Sequence, residues 1–226
     1  MPSLEWMRQE FDYGYSSGNV LADPPDPHRL KEEAMIGGSY RRVFLDIVAP
    51  LLRPDMTVLE LGPGGGSWTR ALLDHLPEGR LHTVDFQDTG RWIDIPSYNG
   101  RLIHHQVQDN EFTSVSDGSF DFFFTWGVIC HWAQGDIEHI LRRVKTKMKP
   151  GAQAVLNYAA WEKLDRHGWE RGGVPASFKS LPDEEMWWPR NSVAEMSDLC
   201  QRAGWTVLTA DLNAVERDGV IHLRAD

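Results

Sequence analysis

The stretch that most constrains the fold is Val58-Leu59-Glu60-Leu61-Gly62-Pro63-Gly64-Gly65-Gly66-Ser67-Trp68. The apolar run from Met56 to Leu61 reads as a short buried strand. Pro63 and four glycines then allow a tight turn, and Ser67 can cap a helix that follows. Strand, glycine turn and helix N-terminus, in that order, put bare backbone N–H groups at the carboxyl edge of a sheet. Open α/β folds bind nucleotide-like ligands there. Glu60, at the strand end, can face such a ligand.

The spacing Glu60-x-Gly62-x-Gly64-x-Gly66 resembles the cofactor loop of class I S-adenosylmethionine (SAM) dependent methyltransferases. The dinucleotide pattern would need Gly or Ala at position 67, where Ser67 stands. Glycines also collect in plain turns, so the loop has to be weighed with the rest of the chain.

After the loop, Trp68, Ala71, Leu72 and Leu76 mark an amphipathic helix ended by Pro77-Glu78-Gly79. Arg80 to Phe86 reads as a second strand. It brings Asp85 about 20 positions beyond the glycines, where an acid can hydrogen-bond ribose hydroxyls. Phe86 beside it can stack on an adenine. NAD and SAM proteins both use an acid here, so Asp85 indicates a nucleotide without choosing one. Arg101 to Val107 suggests a third strand, with His104 and His105 in structural roles. Asp109 then either meets the adenine amino group, as the resemblance implies, or forms a turn with Asn110.

Phe120-Asp121-Phe122-Phe123-Phe124-Thr125 is a nearly continuous aromatic strand, which implies burial on both faces. The loop Trp126 to Trp132 follows, then a helix with the stripe Ile137, Ile140, Leu141, Val144 and Met148. Lys149-Pro150-Gly151 stops that helix, and Gln153 to Tyr158 makes a fifth strand. This passage is similar to the methyltransferase order of Phe-Asp strand, His-bearing loop, long helix and Lys-Pro-Gly turn. Ala152 departs mildly from the usual Pro-Gly-Gly. Ser192-Val193-Ala194-Glu195 is a capping box for a helix ending at Ala203-Gly204. The tail from Trp205 to Val215, turned by Asp218-Gly219 into Val220 to Leu223, reads as a hairpin. A NAD-binding domain would more often continue with a helix and a parallel strand.

The resemblance spans roughly residues 40–226. It implies an α/β, Rossmann-like three-layer sandwich with a seven-stranded, mostly parallel sheet and a C-terminal antiparallel hairpin. The expected organisation is a single domain, 1–226, with residues 1–50 as an arm or lid and 51–226 as the core. In 1–28, prolines and aromatics suggest an extended or partly helical arm, packed on the domain or closing over its site. Gly37-Gly38 give the arm a hinge. Tyr40, Val43, Phe44, Ile47, Val48 and Leu51 recur at helical spacing, and Tyr40 or Arg41 can reach the methionine carboxylate of a cofactor. Residues 161–190 lack a sustained period but hold Trp161, Trp169, Trp187 and Trp188. An irregular insertion this rich in tryptophan is expected to cover a substrate pocket.

Net charge of -10 opposes a phosphate backbone, and the basic run Arg142 to Lys149 reads as one helix's solvated face. Nucleic acid is therefore not expected as a partner. Cys130 and Cys200 form neither a disulfide framework nor a metal cluster, which suits a reducing cytoplasm, and no metal is expected. No signal peptide or membrane-spanning run is seen in the sequence, so a soluble cytoplasmic protein is expected. The oligomeric state stays open.

The resemblance implies methyl transfer from SAM, an in-line displacement that needs a nucleophile aligned behind the methyl carbon and water excluded. A small-molecule acceptor is expected, with a hydroxyl of a sugar-like or natural-product substrate favoured. No Asp/Asn-Pro-Pro-aromatic element follows the fourth strand, which speaks against amino methylation of DNA bases. His131, in the loop after that strand, is the candidate general base, with a pKa expected near neutrality. The cofactor set is Tyr40, Glu60, Gly62, Gly64, Gly66, Trp68, Asp85, Phe86, Asp109 and Trp126. The acceptor set is Tyr13, Tyr15, Trp132, Tyr158, Trp161 and Trp187. The alternatives are an N-methyltransferase, which would not need His131, and a NAD-binding oxidoreductase or non-catalytic nucleotide-binding domain.

Overall fold

The computed structural model describes residues 18–226. Tyr13 and Tyr15, expected at the acceptor, lie outside the described residues. One seven-stranded sheet runs in the order β3-β2-β1-β4-β5-β7-β6. Its strands are β1 (Thr57–Leu61), β2 (Arg80–Asp85), β3 (Leu102–Gln106), β4 (Phe120–Thr125), β5 (Met148–Ala159), β6 (Trp205–Thr209) and β7 (Asp218–Ala225). The first five are parallel, and β7 pairs antiparallel with both β5 and β6. This is the expected sandwich with its antiparallel ending.

The helices are α1 (Pro27–Ile36), α2 (Tyr40–Val43), α3 (Ser67–Asp74), α4 (Gln134–Lys147), α5 (Trp161–His167) and α6 (Val193–Arg202). The chain beyond α2 continues as wider and then tighter turns to Leu51. Burial on both faces explains the aromatic run of β4. Phe123 joins the apolar cluster that packs α4 and α6, whereas Phe122 and Phe124 join the cluster that packs α2 and α3. Ser192 Oγ accepts from Glu195 N (3.2 Å), the N-cap bond read in the sequence, but Glu195 Oε2 takes the Ser192 hydroxyl (2.8 Å) and not its N–H, which donates to Asn191 Oδ1 (2.9 Å).

Local chemistry shifts several boundaries. Gly66, with φ +85°, is the N-cap of α3, and Ser67 is its first helical residue, so the expected capping by Ser67 is replaced by a glycine in a left-handed conformation. Gly37 (φ +65°) closes α1 as a left-handed cap, and its N–H bonds Glu33 O. α4 passes straight into β5 at Met148. Pro150 and Gly151 sit within that strand, where a register shift against β4 accommodates a proline without a donor. Asp218-Gly219 does not turn the hairpin. The reversal spans residues 210–217, and both residues open β7.

The insertion is more ordered than its composition suggests. It contains α5 and short 3₁₀ turns at Ala176–Ser180 and Asp183–Glu185. Leu164, Trp169, Val174, Phe178, Met186 and Trp188 bury one another in a small core of its own.

Candidate functional site

The strand order reverses between β1 and β4, so the loops leaving their carboxyl ends diverge and open a crevice. A cavity of about 350 Å³ lies there, within the range of roughly 300–1,000 Å³ usual for ligand pockets. One end is walled by Leu61 to Gly65, Ser67, Asp85 and Phe86, and the other by α1, the insertion and Arg217.

At the first end, Gly62 (φ +70°) has no room for a side chain, since a Cβ would stand 2.2 Å from Val128 Cγ2. Its N–H is held by Val84 O at 2.9 Å, which locks the loop to the end of β2. The Asp85 carboxylate is gathered by backbone N–H groups of Gln87 (2.9 Å), Phe86 and Gly64. Burial raises its pKa, and these donors pull it back down. The His104 ring fastens the loop beyond β2 through Thr83 Oγ1 (2.9 Å) and Gln87 O (2.9 Å), a structural role as expected.

Tyr40, Trp68 and Trp126 form an aromatic cluster on the adjoining wall, with ring centroids 4.9–5.7 Å apart. The Trp126 indole N–H donates to the Tyr40 hydroxyl. Opposite, His131 packs edge-on to Trp188 at 5.3 Å and near Trp187 at 5.8 Å. Its Nδ1 lies 2.8 Å from Trp187 O, so that nitrogen carries the proton and Nε2 is the ring's proton-accepting atom. Burial drives the imidazole pKa down to about 4, well below the neutral value expected from the sequence, and the bond to Trp187 only partly opposes this.

Several expected contacts fall elsewhere. Glu60 is buried beneath the loop, accepting from Thr69 Oγ1 at 2.7 Å, and does not line the cavity. Gly66 packs under Ile93 instead of the cavity. Asp109 is exposed and accepts from Glu111 N (2.9 Å), the turn reading. Arg41 does not line the cavity. Tyr158 fills the space above Gly219 and donates to Ala210 O (2.8 Å), which seats β7. Trp161 donates to Pro189 O (3.2 Å) and packs on Trp169, pinning the insertion to itself. Trp132, Trp187, Tyr40, Gly62, Gly64, Trp68, Asp85, Phe86, Trp126 and His131 do line the cavity.

Three lining residues with charged or amide side chains are absent from the sequence reading. Arg217 grips Asp218 with two bonds (2.6 and 2.9 Å), donates to Gly172 O (2.9 Å) and stacks over Trp188. Asn157 donates to Asp218 Oδ2 (3.1 Å) and accepts from Gly127 N (2.7 Å). A lone amide in the apolar run Ala154 to Ala160 was a usable signal for Asn157. Arg217 stands just before Asp218-Gly219, which reads as a turn in the sequence. Glu32 carried no signal in the sequence.

Glu60 also sets a pH dependence. Burial, with the nearby Asp85 adding to it, pushes its carboxyl up to about 8. Between the ordinary carboxyl value and about 8 the folded chain holds a proton that the unfolded chain has lost. Stability from this group is therefore full below the unfolded pKa and lost as pH rises through about 8. Glu60→Gln is expected to flatten that decline. Urea midpoints at pH 5 and pH 8.5 measure it, and an unchanged slope in the variant would remove Glu60 as its source.

The residues fit an adenosyl ligand: backbone N–H groups, the Asp85 carboxylate and an aromatic face all line the cavity. Thr125 Oγ1, at the carboxyl end of β4, and Trp188 Nε1, in the cavity wall, are buried without hydrogen-bond partners among the described residues. Among the described residues, no group of three or more His, Cys, Asp or Glu is arranged to hold a metal ion.

A methyltransferase domain profile matches residues 37–210. The chain therefore belongs to the methyltransferase domain family, and its sheet is that of the class I SAM-dependent enzymes. Over 163 residues, 68% of the chain, it is 28% identical to a polyketide synthase-nonribosomal peptide synthetase of Aspergillus clavatus, and it spans only 4% of that protein's length. A SAM-dependent methyltransferase from Aquifex aeolicus superposes with a TM-score of 0.63 at 18% identity, covering 89% of this chain and 94% of the other. The 1,6-didemethyltoxoflavin-N1-methyltransferase of Burkholderia thailandensis, solved with its substrate and S-adenosylhomocysteine, gives 0.61 at 17% identity over 86% and 79%.

Proposed function

We propose that this SAM-dependent methyltransferase acts on a hydroxyl of a small natural-product acceptor, with His131 as the proton acceptor. The observation that carries this reading is the His131 ring in the cavity wall, its tautomer held by Trp187 O. Bound SAM supplies an electrophilic methyl carbon, which leaves the protein to bind, orient and take a proton. Asp85 accepts from the ribose hydroxyls, the loop N–H groups and Phe86 hold the nucleoside, and Trp126 offers its face to positive charge. Trp132, Trp187 and Trp188 exclude water and favour a flat acceptor over a strongly hydrated one. A weakly basic imidazole suits an acidic hydroxyl, phenolic or enolic, better than an alkyl alcohol.

Kinship with a polyketide synthase-nonribosomal peptide synthetase supports a natural-product acceptor. The basic run is engaged in ion pairs, Arg142 with Glu138 (2.6 Å) and Lys149 with Asp121 (2.8 Å), which supports the reading without nucleic acid. Among the described residues no helix is long and apolar enough to cross a membrane, and both cysteines are buried and unpaired, in keeping with a cytoplasmic setting. A nitrogen acceptor is the second reading, favoured by the N1-directed Burkholderia neighbour.

Calorimetric titration with SAM and, separately, NAD tests the class. SAM binding without NAD binding is expected, and NAD binding alone overturns it. Labelled SAM with matched aryl alcohols and aryl amines then tests the acceptor atom. Label on the alcohols is expected, whereas label on the amines alone selects the second reading.

A further inference from the structure

Glu32 and Met35 stand one turn apart on α1, and both line the cavity. Their neighbour Glu33 is fully engaged, accepting from Tyr40 N (2.8 Å) and Ser39 Oγ (3.2 Å) and pairing with Arg29. The Glu32 carboxylate, by contrast, holds no hydrogen bond or ion pair among the described residues. The charges that act on it are Arg217, Lys31, His28 and Asp218, and it acts in turn on the Tyr40 hydroxyl, so it stands close to both Arg217 and Tyr40. Arg217 makes no ion pair with it: three of that guanidinium's N–H groups go to Asp218 and Gly172 O, and its plane lies over Trp188. Around them the tryptophan indoles donate but do not accept. Among the described residues of the lining, the Glu32 carboxylate is therefore an acceptor side chain with no committed donor.

Resting on the methyltransferase reading, we propose that Glu32 determines acceptor specificity. Its carboxylate receives a hydrogen bond from a second donor on the acceptor, a hydroxyl or a protonated nitrogen, remote from the methylated atom. Burial raises the Glu32 carboxyl against the pull of Arg217, Lys31 and His28, an environment that an incoming donor would complete. An acceptor with a carboxylate at the same position meets like charge and is rejected.

Calorimetry on the S-adenosylhomocysteine complex of the full chain tests this without turnover. The probes are hydroquinone, its monomethyl ether, para-aminomethylphenol and para-hydroxybenzoate. Wild type is expected to bind the two donor-bearing phenols about tenfold or more tighter than the ether, and para-hydroxybenzoate weakest. Glu32→Gln is expected to narrow the first gap to about threefold or less and to relieve the rejection of the benzoate, at unchanged melting temperature and S-adenosylhomocysteine affinity. The proposal is overturned if wild type binds the ether as well as hydroquinone or binds none of the four. It is also overturned if the variant keeps the discrimination, or loses S-adenosylhomocysteine affinity instead. A wild type that fails to bind S-adenosylhomocysteine in the first titration refutes the methyltransferase reading itself, and the two failures are thereby told apart.

Discussion

His131→Ala is expected to lower kcat by about 100-fold or more while leaving the Kd for SAM within about twofold. The ring sits in the cavity wall between Trp187 and Trp188, and the Trp187 carbonyl fixes which nitrogen takes a proton. On the proposed mechanism, removing it removes the acceptor of the hydroxyl proton but none of the groups at the Asp85 end. His131→Phe keeps the ring's volume and should lose the same factor, which separates proton transfer from packing. The depressed pKa adds a second signature. An imidazole that charges near pH 4 stays competent through the neutral range, so kcat should be flat from pH 8 to about 5 and fall only near 4. An acid limb near 6.5, or unaltered turnover in both variants, would exclude His131 as the base.

Asp85→Ala should raise the Kd for SAM by roughly 10- to 150-fold, the range for losing a hydrogen bond to a charged group. Gly64, Phe86 and Gln87 would at the same time lose the carboxylate that gathers their N–H groups, so the glycine loop would loosen as well. Asp85→Asn retains an acceptor oxygen and should cost less. Calorimetry reads both variants, and an unaltered Kd in the alanine variant would take Asp85 out of the site.

Much of this architecture was legible because burial writes itself into periodicity. The unbroken apolar strands, the glycine loop and the N-cap at Ser192 each combine local propensity with tertiary placement. Within the cavity, residues adjoining strand ends were readable for the same reason: Asp85 ends β2, Phe86 follows it, and Trp126 and His131 follow β4. Glu60 and Asp109 show where the reasoning by position fails. The strand alternation turns Glu60 away from the crevice, and Asp109 satisfies its own turn. Tyr158 and Trp161 are aromatics close to the site in sequence, but each spends its polar atom on a backbone carbonyl. Glu32 and Arg217 come from opposite ends of the chain, and nothing local to either reports the other.

The hydrogen bonds from Gly172 O through Arg217 and Asp218 to Asn157 and Gly127 N join the insertion to the loop after β4. One half of the cavity is thus made of strand ends common to the sheet, and the other of segments outside it. On the proposed assignment of the two halves, swapping the outer segments is expected to retrain the molecule for new acceptors while its grip on the nucleoside survives. Asn157 is the junction between these two inheritances, and a change there would be felt on both sides at once.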